Sequence, residues 1–112
     1  MQLTQPESNT PMVTIINGGT QGLGEAIARK LVADGASGLV LTGRSVDRGK
    51  ALATEFEKLG TPTLFLSVDI NSEGAPQFII DASSERFGKI YGLVNVAALT
   101  TRATLFEDTP DH

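Results

Sequence analysis

The 112-residue chain contains no cysteine. That excludes a disulfide framework and a thiolate nucleophile, and it suits a cytoplasmic protein. Histidine occurs once, at His112, which excludes a metal site or a catalytic triad built on histidine. Tyrosine also occurs once, at Tyr91. No apolar run has the length needed to span a bilayer. The opening Met1-Gln2-Leu3-Thr4-Gln5-Pro6 is polar where a secretory signal is apolar. Basic residues are the minority, with 9 Lys and Arg against 13 Asp and Glu and a net charge of −4. That balance argues against a nucleic-acid partner, which favours a basic patch. No internal repeat, linker or low-complexity segment is found.

Glycine, by contrast, is plentiful and clustered. Asn17-Gly18-Gly19-Thr20-Gln21-Gly22-Leu23-Gly24 follows the apolar run Met12-Val13-Thr14-Ile15-Ile16 and precedes a helical pattern, Glu25 to Val32. Strand, glycine turn and helix together make a geometry suited to a pyrophosphate. Glycines let the backbone approach a ligand closely, and the unpaired amides and dipole at the helix start favour negative charge. The spacing is Gly-x-x-x-Gly-x-Gly. A phosphate loop of the kinase and GTPase type would continue as Gly-Lys-Ser/Thr, but Gly24 is followed by Glu25-Ala26. The strict Gly-x-Gly-x-x-Gly form would place a glycine at Ile27. A structural turn without ligand is the alternative that the remaining sequence has to decide.

Residues 1–11 read as a loose polar tail, broken by Pro6 and Pro11. Residues 12–112 read as one domain. The first strand spans about 12–17. In the helix that follows, Leu23, Ile27 and Leu31 share a face widened by Ala28 and Val32; Asp34 and Gly35 end it. Leu39 to Thr42 is the second strand. Ser45 is placed to cap a second helix, which runs to Leu59 with Leu52, Phe56 and Leu59 facing inward and Glu55, Glu57 and Lys58 outward. Thr63 to Val68 is the third strand, closed by Asp69. Asn71 or Ser72 caps a third helix, with Pro76 in its first turn and Phe78, Ile79 and Ala82 facing inward. Gly88 ends it. Ile90 to Val94 is the fourth strand and leads to Asn95. Val96 to His112 reads as a loop, with Thr109-Pro110 opening a further helix.

Apolar strands alternating with helices predict an α/β fold, a parallel sheet covered on both faces. Right-handed crossovers and the glycine turn after the first strand predict the doubly wound, Rossmann-type arrangement, strand order 3-2-1-4. Gly18 to Gly24, Arg44, Asp69 and Asn95 then gather at the carboxyl ends of the strands. In this fold that edge holds the ligand. This convergence favours a ligand over a purely structural turn.

With these residues in place the sequence resembles the short-chain dehydrogenase/reductase family. The family's Thr-Gly-x-x-x-Gly-x-Gly is matched from Asn17 to Gly24, its Asp after strand three by Asp69, and its Asn-Asn-Ala-Gly in part by Asn95-Val96-Ala97-Ala98. Departures are Asn17 for Thr, Val96 for Asn and Ala98 for Gly. The resemblance implies an oxidoreductase transferring hydride between a nicotinamide cofactor and a carbonyl or alcohol. It implies cofactor contacts at Gly18, Thr20, Gln21, Gly22, Leu23, Gly24, Asp69, Ile70, Asn95 and Ala97. The Thr20 hydroxyl is expected to give a further donor and Asp69 to accept from the adenine amino group. Arg44 and Ser45 follow Gly43, where NAD-preferring members carry an acid. A guanidinium suits a 2′-phosphate, so NADP(H) is expected over NAD(H). The alternative for Arg44 is a solvated loop arginine paired with Asp47. The family's catalytic Ser and Tyr-x-x-x-Lys are not matched; no lysine stands four residues after Tyr91. The chain therefore reads as the cofactor-binding half of a short-chain oxidoreductase truncated after the fourth strand, with a small-molecule substrate and a homo-oligomeric parent. A non-catalytic dinucleotide-binding module is the alternative.

Overall fold

The structure, a computed structural model, describes residues 12–96. Four strands and three helices alternate: β1 (Val13–Asn17), α1 (Gly22–Ala33), β2 (Gly38–Gly43), α2 (Val46–Lys58), β3 (Thr63–Ser67), α3 (Ala75–Phe87) and β4 (Gly92–Asn95). The strands form one parallel sheet in the order β3-β2-β1-β4, as the alternation predicts. The expected tail and the expected terminal loop and helix lie outside the described residues.

The central strands carry branched apolar residues because both of their faces are covered. On one face Ile16, Leu39 and Leu41 pack with Ala28 of α1, with Leu52 and Phe56 of α2, and with Val96. On the other, Ile15, Val40 and Leu66 pack with Ile79 of α3. Phe56 is wholly buried, and burying such a side chain is worth roughly 1.5–3 kcal/mol. Helix α2 lies close to the sheet because Gly49 has no side chain. A Cβ there would stand 2.2–2.3 Å from the Phe65 ring.

Both helices on that face end in the same way. Ala36 N–H donates to the Leu31 carbonyl and Gly35 N–H to that of Val32. Thr61 and Gly60 repeat the pattern on Phe56 and Glu57. These paired bonds satisfy carbonyls that the helix end would leave open. Ser45 caps α2 as expected, its hydroxyl accepting from Arg48 N–H at 3.3 Å. Pro76 sits in the first turn of α3, where its missing N–H leaves no helical bond unmade.

Several expectations are corrected. Neither Asn71 nor Ser72 caps α3; Gly74 does, with no side-chain bond. Asp69 takes both residues instead, its carboxylate accepting Asn71 N–H and its carbonyl the Ser72 hydroxyl. The inward face of α3 runs through Ala75, Ile79 and Ser83, while Phe78 is half exposed. Leu59 is the C-cap of α2 and is 63% exposed. β4 begins at Gly92 rather than Ile90, although Tyr91 N–H still bonds the Val13 carbonyl. Val96, expected to begin a loop, is buried in the core.

Glu55 and Glu57 are solvated as expected, but each is engaged. Arg29 of α1 bonds both Glu55 oxygens, at 2.6 and 3.1 Å, and Glu25 at 3.0 Å. The guanidinium holds the Glu55 carboxyl below the usual carboxylate range. The two carboxylates in turn raise the arginine further above its ordinary value. Glu57 accepts Thr63 N–H at 2.9 Å and meets Arg86 at 3.4 Å.

Candidate functional site

The glycine turn is tied to the tip of β2. Gly18 and Gly19 both donate to the Thr42 carbonyl, at 3.2 and 3.1 Å. Gly18 N–H also reaches the Thr42 hydroxyl at 3.3 Å, and that hydroxyl donates to Asn17 Oδ1 at 3.1 Å. Helix α1 starts at Gly22, and its N-cap, Gln21, is extended and makes no side-chain cap bond. The amides of the first turn are therefore left to a ligand or to solvent.

Two glycines set the shape of this turn. Gly22 has φ +58°, and a Cβ there would meet nothing within 4 Å. It makes a left-handed step beside open space, which suits glycine. Gly24 differs. Its Cβ would lie 1.9 Å from the Gly18 carbonyl oxygen. The helix thus rests directly on the turn. Leu23, expected on the inward face, is 57% exposed because it points from the first turn toward the cleft.

That cleft, of about 590 Å³, opens along the carboxyl ends of β1, β2 and β3. One wall is Gly18, Thr20, Gln21, Gly22 and Leu23; a second is Thr42, Gly43, Arg44 and Ser45. Val68, Asp69, Ile70 and Asn71 form a third, with Val96 below. Thr20 is only 5% exposed. Its side chain fills the place beside Gly43, where a Cβ would stand 2.7 Å from the Thr20 hydroxyl. Arg44 is open to solvent and lies 3.9 Å from Asp69, not beside Asp47. Among the described residues lining the cleft, Arg44 is the only cation and Asp69 the only acid.

Of the sequence-predicted residues, the structure brings Gly18, Thr20, Gln21, Gly22, Leu23, Arg44, Ser45, Asp69 and Ile70 to this one cleft. Gly24 supports it from behind. Asn95 ends β4 in register with Asn17, beside the walls but not lining them. Ala97 lies outside the described residues. Thr42, Val68, Asn71 and Val96 line the cleft without having been singled out. Thr42 carried a signal, a lone hydroxyl closing an apolar run; Val96 carried one too, its place in the motif that follows β4. Tyr91 stands at the opposite end of the sheet, bonded to Val13. Among the described residues no group of three or more His, Cys, Asp or Glu could hold a metal. No described helix is long and apolar enough to cross a membrane.

Comparison with known proteins agrees with this architecture. The family model for short chain dehydrogenase matches residues 12–112. An uncharacterised oxidoreductase of Escherichia coli is 41% identical over 85 residues, 76% of this chain and 32% of its own length. The NADP-dependent (R)-specific alcohol dehydrogenase of Lentilactobacillus kefiri is 37% identical over 101 residues, 89% of this chain and 39% of its own. Among solved structures, the alcohol dehydrogenase of Thermococcus sibiricus complexed with 5-hydroxy-NADP superposes with a TM-score of 0.69. It is 33% identical, over 75% of this chain and 36% of that one. The chain thus spans about a third of the length of these relatives. With the family model matched along the whole of residues 12–112, the chain belongs to the short-chain dehydrogenase/reductase family of oxidoreductases.

Proposed function

We propose that residues 12–112 form the NADP(H)-binding part of a short-chain oxidoreductase that moves hydride between the cofactor and a carbonyl or alcohol. The observation that carries this reading is the meeting, in one cleft, of an uncapped helix start, an open Gly22 and a single cation, Arg44. The donor set suits a dinucleotide. Backbone amides from Thr20 to Leu23 border the pyrophosphate position, where the helix dipole favours an anion, while those of Gly18 and Gly19 are taken by Thr42. Arg44 and Ser45 stand where a 2′-phosphate would be held, the guanidinium through charge-assisted bonds. Asp69 is placed to accept from an adenine amino group. Asn95 borders the ribose side. Thr20 joins the two walls through its contact with Gly43, so its backbone rather than its hydroxyl serves the phosphate.

Bound there, the nicotinamide ring would accept or supply the hydride. The chain's own residues bind and orient. Tyr91, the single tyrosine of the sequence, lies at the end of β4 away from the cleft. That placement favours a second reading for the chain on its own, a dinucleotide-binding unit without turnover. NADP-bound or NADP-dependent relatives support the choice of NADP(H) over NAD(H).

Titration calorimetry of the full-length gene product with NADP⁺ and NAD⁺ tests the proposal. Binding of NADP⁺ with weaker binding of NAD⁺ is expected. No heat with either cofactor would remove the reading. Carbonyl reduction by the 112-residue chain alone would remove the view that it lacks turnover.

A further inference from the structure

A row of polar residues crosses the carboxyl end of the sheet. Asn17 of β1 stands in register between Asn95 of β4 and Thr42 of β2. One step back on the same face the neighbours are Ile15, Val40 and Leu93. Thr42 is wholly buried, so its hydroxyl must find partners within the protein. It uses its one proton on Asn17 Oδ1 and turns a lone pair to Gly18 N–H. A hydroxyl has one donor, so the asparagine decides which way it points. Gly18 N–H is then shared between the Thr42 hydroxyl and carbonyl. Thr42 also leads directly into Gly43 and Arg44 of the second wall.

We propose that Asn17 and Thr42 are positioning residues for the cofactor: Asn17 orients the Thr42 hydroxyl, and that hydroxyl holds the pyrophosphate turn in a set relation to the Arg44 turn. The family's threonine at this place is replaced here by a longer side chain with a carbonyl acceptor, which reaches across to β2. Neither residue touches the cofactor through its side chain. Both act on the Gly18 end of the glycine turn. The inference rests on the dinucleotide-binding reading above.

The test compares two ligands on the full-length gene product. NADP⁺ uses both walls, whereas adenosine 2′-monophosphate has no pyrophosphate and uses only the wall of Arg44, Ser45 and Asp69. Asn17→Ala and Thr42→Val are each expected to weaken NADP⁺ binding about five- to tenfold, the worth of one hydrogen bond. Binding of adenosine 2′-monophosphate should change less than about twofold. Thr42→Ser keeps the hydroxyl and should restore NADP⁺ affinity. The double variant should lose no more than either single one, because both break the same relay. Asn17 is partly exposed, so Asn17→Ala carries the test if Thr42→Val does not fold. Unchanged NADP⁺ affinity, or equal losses for the two ligands, would overturn the inference and leave the cofactor reading intact. A wild-type protein that binds neither ligand would instead overturn the cofactor reading itself.

Discussion

Replacing Gly24 with alanine puts the contact between α1 and the glycine turn to the test. The new Cβ would stand 1.9 Å from the Gly18 carbonyl oxygen, and 2.8 Å from both the Gly18 carbonyl carbon and Gly19 Cα. Ordinary contact begins near 3.4 Å, so helix and turn must part by about 1.5 Å in a close-packed region. All three atoms are backbone, and no side-chain rotation relieves the clash. Overpacking of this kind costs about 1–3 kcal/mol. Alanine's better helix propensity returns at most about 1 kcal/mol, so the net change is destabilising. A domain of this size loses roughly 4–8 °C in Tm per kcal/mol. The effect on ligand should be sharper. Each charge-assisted bond from an amide to phosphate is worth about 1.5–3 kcal/mol, and a shift beyond 1 Å removes at least one. NADP⁺ affinity should therefore fall at least about tenfold. Calorimetric titration and thermal unfolding by circular dichroism measure the two effects. A variant with wild-type Tm and Kd within twofold would refute the packing argument. Gly22→Ala is the control: it meets no atom, and its strain comes only from a left-handed backbone, about 1–2 kcal/mol.

Arg44→Ala should weaken NADP(H) binding about tenfold and leave NAD(H) within about twofold, since the lost bonds go to the 2′-phosphate alone; paired cofactor titrations measure this. Glu55 has a carboxyl pKa lowered by Arg29, so its contribution to stability is present above the ordinary glutamate value and is lost as pH falls through the lowered one. Glu55→Gln should accordingly lower Tm slightly at neutral pH and have no effect in strong acid, as a pH series of melting curves will show. Phe56→Ala empties a wholly buried site and should cost about 3–5 kcal/mol, read by denaturant unfolding.

The sheet order and the cleft were legible in the sequence for a definite reason. Apolar runs separated by helical periods leave few ways to build a parallel sheet, and the motif residues all stand at one end of the strands. The helix faces were less legible. Phe78, Leu59 and Leu23 fall on apolar stripes, yet each ends up exposed, because periodicity marks a direction and not the depth to which a helix end is covered. The start of α3 was misplaced because Asp69 folds Asn71 and Ser72 into its own turn, a local competitor to helix capping. The part played by Thr42 depends on strand register, which places it beside Asn17, and register is not written in either strand alone.

The pairing of β1 with both β2 and β4 also orders events in time. Every bond that pins the glycine turn to β2 joins residues between Asn17 and Thr42. Asn95 leaves the ribosome about fifty residues later, which at roughly 5–20 residues per second is a delay of about 3–10 seconds. During that interval the nascent chain already carries the glycine turn pinned to β2, while β1 still has a vacant edge. Translation speed across this stretch therefore sets how long an incomplete sheet is offered to chaperones or to its neighbours on the polysome.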